Sequence, residues 1–165
     1  MIISRTRARS EEQCGSFSKI SGELCHEFWL SMTMQSYAGV YRVLSTYPEW
    51  DLGGEADNGQ DAIRLAGELA PEVVIMDVSV PGMNGLEATR IILDVLPETK
   101  VLLLTLHSSS EFVRSAFRAG ARGYVLKSDA ENELVRALNV VIGEGTYVSP
   151  AIDARAVKES IFGNN

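Results

Sequence analysis

Short apolar runs alternate with stretches of helical periodicity between residues 55 and 143. Three of these runs end in a polar residue, and they are Val73–Asp77, Val101–Thr105 and Tyr124–Lys127. Continuous apolar runs of this length are typical of parallel strands that are covered on both faces. The pattern therefore predicts a buried parallel sheet rather than a half-exposed antiparallel one.

Amphipathic helices are predicted between the strands. Capping-box spacing begins two of them, at Asn84 and at Ser108, and the second ends near Gly120. A further helix is predicted over about residues 130–142, and residues 58–71 read as a turn, a helix and a stop. Because strands and helices alternate, we predict an α/β fold with a doubly wound, flavodoxin-like parallel sheet.

Composition narrows the class of protein. The chain has 165 residues, which suits one domain, and its net charge of −7 argues against a general binder of nucleic acid or anionic membrane. No apolar run approaches the length of a membrane span. Cys14 and Cys25 cannot build a disulfide framework, so we expect a cytoplasmic protein, and with His26 they lack the second ligand pair of a zinc site.

Candidate chemistry lies where the predicted strands end. Asp77, Thr105 and Lys127 close three successive strands. The carboxyl ends of parallel strands meet at one edge of the sheet, where such folds bind ligands. A carboxylate can act as a nucleophile, while an ammonium and a hydroxyl can stabilise phosphoryl oxygens. The pattern favours a phosphoryl-handling site over a strand-end acid with no chemistry.

Residues 54–150 resemble the receiver domain of two-component response regulators, a CheY-like domain. The matching motifs are "MDVSVPGMNG", "LLLT" and "GYVLK", and the likeness is strongest to the NarL/FixJ branch, whose members usually carry a LuxR-type helix-turn-helix. The resemblance implies phosphorelay signalling, strand order 2-1-3-4-5, a sensor histidine kinase as partner, a possible homodimer, and no enzyme activity. It implies these roles: phosphoacceptor Asp77, phosphate-sensing hydroxyl Thr105, rotating aromatic Tyr124, phosphate-contacting Lys127, metal-binding backbone carbonyl Ser79, and loop-shaping Pro81 and Gly82.

The chain departs from this family at its first strand. Receivers begin with a central strand that ends in two adjacent acids, which hold Mg²⁺ beside the phosphoacceptor. Here "CHEFWLSMTMQSY" occupies that place without an acidic pair. Asp77 and the Ser79 carbonyl alone make a poor Mg²⁺ site, because this ion needs several oxygen ligands. We therefore expect the first strand to be missing or replaced, with residues 27–30 as a makeshift substitute, and phosphorylation to be weak or absent.

We favour the hypothesis that a shifted reading frame produced the aberrant segment. Read from the third base of each codon, with suitable third bases, residues 27–39 become Ile-Leu-Val-Val-Asp-Asp-His-Ala-Val-Val-Arg-Arg-Gly. That is an apolar strand, an acidic pair and the start of a helix, in family order. The alternative is a genuinely diverged N-terminus, and the coding DNA decides between the two hypotheses.

The chain is expected to divide into three parts. Residues 1–36 are an aberrant, poorly ordered segment, residues 37–145 a receiver-like domain, and residues 146–165 a linker-like tail too short for a DNA-binding module. We therefore expect no direct DNA binding and no membrane association. Two functions stay open: a receiver phosphorylated on Asp77, or a degenerate receiver that acts as a phosphorylation-independent interaction module or is an inactive frame-shifted product.

Overall fold

The computed structural model describes residues 2–4, 38–47 and 52–152. Six strands alternate with five helices in this part of the chain. The strands are β1 (Ile2–Ser4), β2 (Leu52–Glu55), β3 (Val73–Asp77), β4 (Lys100–Thr105), β5 (Gly123–Leu126) and β6 (Tyr147–Val148). The helices are α1 (Ala38–Ser45), α2 (Gly59–Leu69), α3 (Gly85–Val95), α4 (Ser110–Arg118) and α5 (Ala130–Ile142). The α/β fold class is as predicted.

The strands form one sheet in the order β2-β1-β3-β4-β5-β6. Strands β3, β4, β5 and β6 pair in parallel, with Asp77 opposite Leu104 and Thr105 opposite Leu126. The predicted order 2-1-3-4-5 is confirmed, and β6 extends the sheet beyond it. This register places the ends of β3, β4 and β5 at one edge.

The central position of the sheet is held by residues that the sequence pattern did not indicate. Strand β1 pairs antiparallel with both β2 and β3, so Ile2 lies opposite Glu55 on one side and Ile75 on the other. The first strand is thus replaced, as expected, but by Ile2–Ser4 rather than by residues 27–30, which lie outside the described residues. Three residues suffice for pairing because a central slot offers hydrogen-bonding partners on both sides.

Two apolar layers cover the sheet. Helices α2, α3 and α4 bury small and branched residues against one face, where Val74 and Met76 of β3 point. Helices α1 and α5 cover the other face, where Val73 and Ile75 point. Burial of β3 on both faces explains its continuous apolar sequence.

The helix ends agree with the capping signals except at α4. Asn84 caps α3 by accepting a hydrogen bond from Leu86 N, whereas α4 is capped by Ser109, which accepts from Phe112 N. The predicted cap at Ser108 was therefore wrong by one residue, because consecutive serines offer several equivalent hydroxyls. Within the described ranges, none of the helices has the length and apolar character needed to cross a membrane.

Candidate functional site

Three of the predicted site residues meet at the carboxyl edge of the sheet. Asp77 ends β3, Thr105 ends β4, and Lys127 directly follows β5, where its backbone N donates to Thr105 O at 2.8 Å. Asp77 and Thr105 are buried, and Lys127 is half-buried. The edge therefore gathers an acid, a hydroxyl and an ammonium, as the strand pattern predicted.

The Asp77 carboxylate is held on both of its oxygens. Lys127 Nζ lies 2.5 Å from Oδ2, and the Ser79 backbone N donates to Oδ1 at 2.9 Å. The side chains of Asp77 and Lys127 are 8% and 18% exposed. Because both side chains are largely buried, the Lys127 ammonium neutralises the Asp77 carboxylate and fixes its orientation at the carboxyl edge of the sheet.

The loop after β3 is shaped by two glycines. Gly82 has a φ of 82°, a conformation that side chains disfavour, and Met83 N closes a tight turn on Pro81 O at 3.0 Å. Gly85 begins α3 against the end of β3, where an added Cβ would lie 2.2 Å from Asp77 O. The loop-shaping role expected of Pro81 and Gly82 fits this geometry, while the need for Gly85 was not anticipated.

Thr105 and Tyr124 are linked through the backbone of His107. The His107 N–H donates to Thr105 Oγ1 at 3.0 Å, and the Tyr124 hydroxyl donates to His107 O at 2.8 Å. Tyr124 is 1% exposed, so its ring points inward. Burial raises the pKa of Tyr124, and interaction with the Thr105 hydroxyl works in the opposite direction. The backbone of one residue, His107, thus connects the two residues expected to respond to phosphate.

The sequence pattern gave no indication that His107 takes part in the site. The His107 imidazole stacks on Phe112 with ring centroids 4.1 Å apart. This stacking holds the loop in which the His107 backbone connects Thr105 to Tyr124. The link uses main-chain atoms, so no side-chain pattern in the sequence could have revealed it.

The described residues do not fit a Mg²⁺ ion. Receiver domains generally bind Mg²⁺ at the phosphorylation site, and the ion needs several oxygen ligands in near-octahedral geometry. Among residues 2–4, 38–47 and 52–152 there is no group of three or more His, Cys, Asp or Glu side chains that could hold a metal. Strand β1 contains no carboxylate, and both Asp77 oxygens already have donors. The missing acidic pair is therefore not replaced from elsewhere in the described chain.

An open, doubly wound sheet with an acid, a hydroxyl and an ammonium at its carboxyl edge defines a CheY-like receiver. Residues 39–139 match the family described as "Response regulator receiver domain". The chain therefore belongs to the response regulator receiver domain family.

Known relatives are similar over the same region. The transcriptional regulatory protein DegU of Brevibacillus brevis is 35% identical over 73% of this chain and 51% of its own length. The response regulator GacA of Pseudomonas aeruginosa is 40% identical over 69% and 53%. The crystal structure of a LuxR-family two-component response regulator from Aurantimonas sp. SI85-9A1 has a TM-score of 0.69 and 37% identity, over 74% of this chain and 86% of that one. The chain spans about half the length of the curated relatives that it matches.

Proposed function

We propose that this chain is a phosphorelay receiver that accepts a phosphoryl group on Asp77 from a sensor histidine kinase. The observation that carries the proposal is the contact of Lys127 Nζ with Asp77 Oδ2 at 2.5 Å, beside the buried Thr105 at the end of the neighbouring strand. Membership of the receiver family supports the same reading. The role is that of a signalling module and not of an enzyme acting on a separate substrate.

Transfer to Asp77 exchanges one bond for another. A carboxylate oxygen attacks phosphorus, the bond from phosphorus to the donor's histidine nitrogen breaks, and that nitrogen keeps the electron pair and takes a proton from solvent. Lys127 shifts its hydrogen bonds from the carboxylate to the incoming phosphoryl oxygens, where negative charge accumulates. Asp77 ends as an acyl phosphate.

Thr105 is oriented to sense the product. Its oxygen accepts from His107 N, and its O–H, which interacts with the Tyr124 hydroxyl, can turn to donate to a phosphoryl oxygen. Movement of Thr105 toward the phosphoryl group pulls on the backbone of His107, whose carbonyl accepts from Tyr124. The change reaches the face formed by α4, β5 and α5.

The mismatch with Mg²⁺ favours a second candidate function. In the receiver family, Mg²⁺ and a lysine ammonium together offset the negative charge of the phosphoryl group. Without a metal, Lys127 alone must offset this charge, so we expect slow phosphorylation. A chain that is not phosphorylated at all would be a degenerate receiver, acting as an interaction module through its fold alone.

The expected partners follow from the receiver family. Receiver domains interact with histidine kinases and often dimerise. For this chain we propose a cytoplasmic location, a sensor histidine kinase as partner and a possible homodimer. The relatives named as transcriptional regulators carry further sequence beyond the matched region. We propose neither DNA binding nor membrane binding for the region that matches the receiver family.

Incubation of the full chain with phosphoramidate, followed by intact-mass measurement, tests the proposal. We expect a slow gain of one phosphoryl group in the wild type and none in Asp77→Asn. The matched control is Asp94→Asn, because Asp94 is an exposed carboxylate on α3, and this variant should be labelled like the wild type.

The outcomes separate the two functions. Labelling that survives in Asp77→Asn would overturn the assignment of the acceptor. No labelling of the wild type, under conditions that label an intact receiver, would establish the degenerate function instead.

A further inference from the structure

The segment that follows α5 folds back onto the sheet. Strand β6 pairs in parallel with β5, and Tyr147 N donates to Arg122 O at 2.9 Å. Ser149 N donates to Tyr124 O at the same distance. Sequence analysis had assigned this segment to a linker, but its first residues are a paired strand.

Ser149 continues the pairing with its side chain after the strand has ended. Its Oγ accepts from Leu126 N at 2.9 Å, and the residue is 1% exposed. Ser149 thus holds β5 on both sides of Val125, through the carbonyl of Tyr124 and the N–H of Leu126. A buried serine whose hydroxyl and backbone N–H each bond to the same strand is a specific attachment and not a solvated linker residue.

A turn then directs the chain into the core. Ile152 N donates to Ser149 O at 3.0 Å, with Pro150 at the second position of the turn, which proline favours. Ile152 is buried in the same apolar cluster as Tyr124 and Val113. We call residues 147–152 the clasp.

The stretch of β5 that the clasp holds is the stretch that carries the site. The Tyr124 hydroxyl reaches His107, and Lys127, one residue beyond Leu126, reaches Asp77. If a change at the site moves β5, the movement must strain or release the hydrogen bonds between β5 and Ser149. The close packing of the core leaves β5 little room to move independently of Ser149.

We propose that Ser149 is a positioning residue of the acceptor site, which couples the state of Asp77 to the clasp. The trigger rests on the proposed phosphorylation of Asp77, whereas the coupling itself does not. Coupling of this kind is reciprocal: a change at the site alters the clasp, and a change in the clasp alters the site.

Native-state hydrogen exchange of the full chain, followed by NMR, tests the coupling without any phosphoryl donor. The probes are the amides of Tyr147 and Ser149, and the reference for global stability is the amide of Leu103 in β4. In Lys127→Met we expect the two clasp amides to exchange about tenfold faster relative to Leu103. A change in the clasp amides that only parallels Leu103 would overturn the proposal.

The reverse direction uses a matched pair of hydroxyl variants. Ser149→Ala leaves the Leu126 N–H buried without its acceptor, and we expect the Tyr124 ring signals to shift and the rate of Asp77 labelling to change several-fold. Ser149→Thr keeps the oxygen and should restore both. The control is Thr99→Val, since Thr99 is also buried and its hydroxyl bonds to backbone, at Pro71 O, but at the opposite edge of the sheet.

Phosphoramidate separates failure of this inference from failure of the proposed function. If Asp77 is labelled and the clasp amides keep their exchange rates, the coupling is wrong and the receiver function stands. If Asp77 is never labelled but Lys127→Met loosens the clasp, the coupling stands and the trigger is wrong. Equal behaviour of Ser149→Ala and Thr99→Val at Tyr124 would reduce Ser149 to a structural role and overturn the proposal.

Discussion

Lys127 Nζ lies 2.5 Å from Asp77 Oδ2 and joins the ends of two strands that are not neighbours in the sheet. Removing one partner of a buried pair leaves the other charge desolvated. We expect Lys127→Met to lower the free energy of unfolding by about 3 kcal/mol, measured by urea denaturation. The double variant with Asp77→Asn should recover most of the loss, because no uncompensated charge remains.

Lys100→Met is the matched control for this ion pair. Lys100 Nζ bonds to Glu144 Oε1 at 2.7 Å, but Glu144 is exposed, so water replaces the lost partner. The Lys100→Met variant should therefore lose much less stability than Lys127→Met. Equal losses, or a double-variant cycle without coupling, would contradict the assignment of a buried pair at the site.

Gly85 is predicted to be required at the junction of β3 and α3. A Cβ at this position would meet the Asp77 carbonyl at 2.2 Å, and backbone cannot move aside as a flexible side chain can. We expect Gly85→Ala to destabilise the fold by about 1–3 kcal/mol, in the range of overpacked core variants, and to displace Asp77. Thermal unfolding and the chemical shifts of the loop measure the two effects.

The same substitution at Gly67 should have the opposite effect on stability. Gly67 lies on the exposed face of α2 with no atom within 4 Å of an added Cβ. Gly67→Ala should therefore stabilise the protein by about 0.5–1 kcal/mol through helix propensity. If Gly85→Ala stabilised the protein as Gly67→Ala is expected to, the close approach at Gly85 would be refuted.

Local sequence patterns predicted the strands and helices that are each formed and buried as one continuous segment of the chain. Strand β3 and helix α5 have the predicted bounds, because each is set by nearby apolar periodicity and by flanking turn residues. The convergence of Asp77, Thr105 and Lys127 also followed from sequence, since parallel strands align their ends.

The rest depended on contacts between residues distant in the chain. Strand β1 consists of three residues with no periodicity of their own, and its place arises from two partner strands more than forty-five residues away. The Ser149 hydroxyl accepts a hydrogen bond from the backbone N of Leu126, and the backbone O of His107 accepts one from the Tyr124 hydroxyl. Neither kind of contact leaves a mark in local side-chain pattern.

Alkaline pH should weaken the fold through Tyr147. Its hydroxyl donates to Glu133 Oε2, and burial together with this carboxylate raises the pKa of Tyr147 to about 12. The folded-state pKa lies above the unfolded value of about 10, so the folded state favours the neutral phenol. The stability from this group is fully present below pH about 10 and is lost as the pH rises through about 12.

Urea denaturation at neutral pH and again above pH about 11 measures this contribution. We expect the wild type to lose about 1–2 kcal/mol more than Tyr147→Phe between the two conditions, after allowance for solvent screening. Tyr47→Phe, which changes an exposed tyrosine that follows α1, should behave like the wild type. A Tyr147→Phe variant with the full alkaline loss would place the titrating group elsewhere.

The frame hypothesis predicts that the missing metal site can be restored. Replacing residues 27–39 by Ile-Leu-Val-Val-Asp-Asp-His-Ala-Val-Val-Arg-Arg-Gly supplies an apolar strand that ends in two acids. Two additional carboxylates beside Asp77 provide the oxygen ligands that Mg²⁺ requires, and they add negative charge that Lys127 alone cannot offset. We expect calorimetry to detect Mg²⁺ binding by the replaced chain, faster labelling of Asp77 by phosphoramidate, and little Mg²⁺ binding by the wild type.

A second replacement with Asn-Asn in place of Asp-Asp isolates the acids from the strand. Both replaced chains should gain stability over the wild type, because a full-length parallel strand pairs with β2 and β3 more extensively than the three residues of β1. Only the acidic version should bind Mg²⁺. Equal Mg²⁺ binding by the two would show that the metal depends on other ligands, and it would remove the physical reason for slow phosphorylation of the present chain.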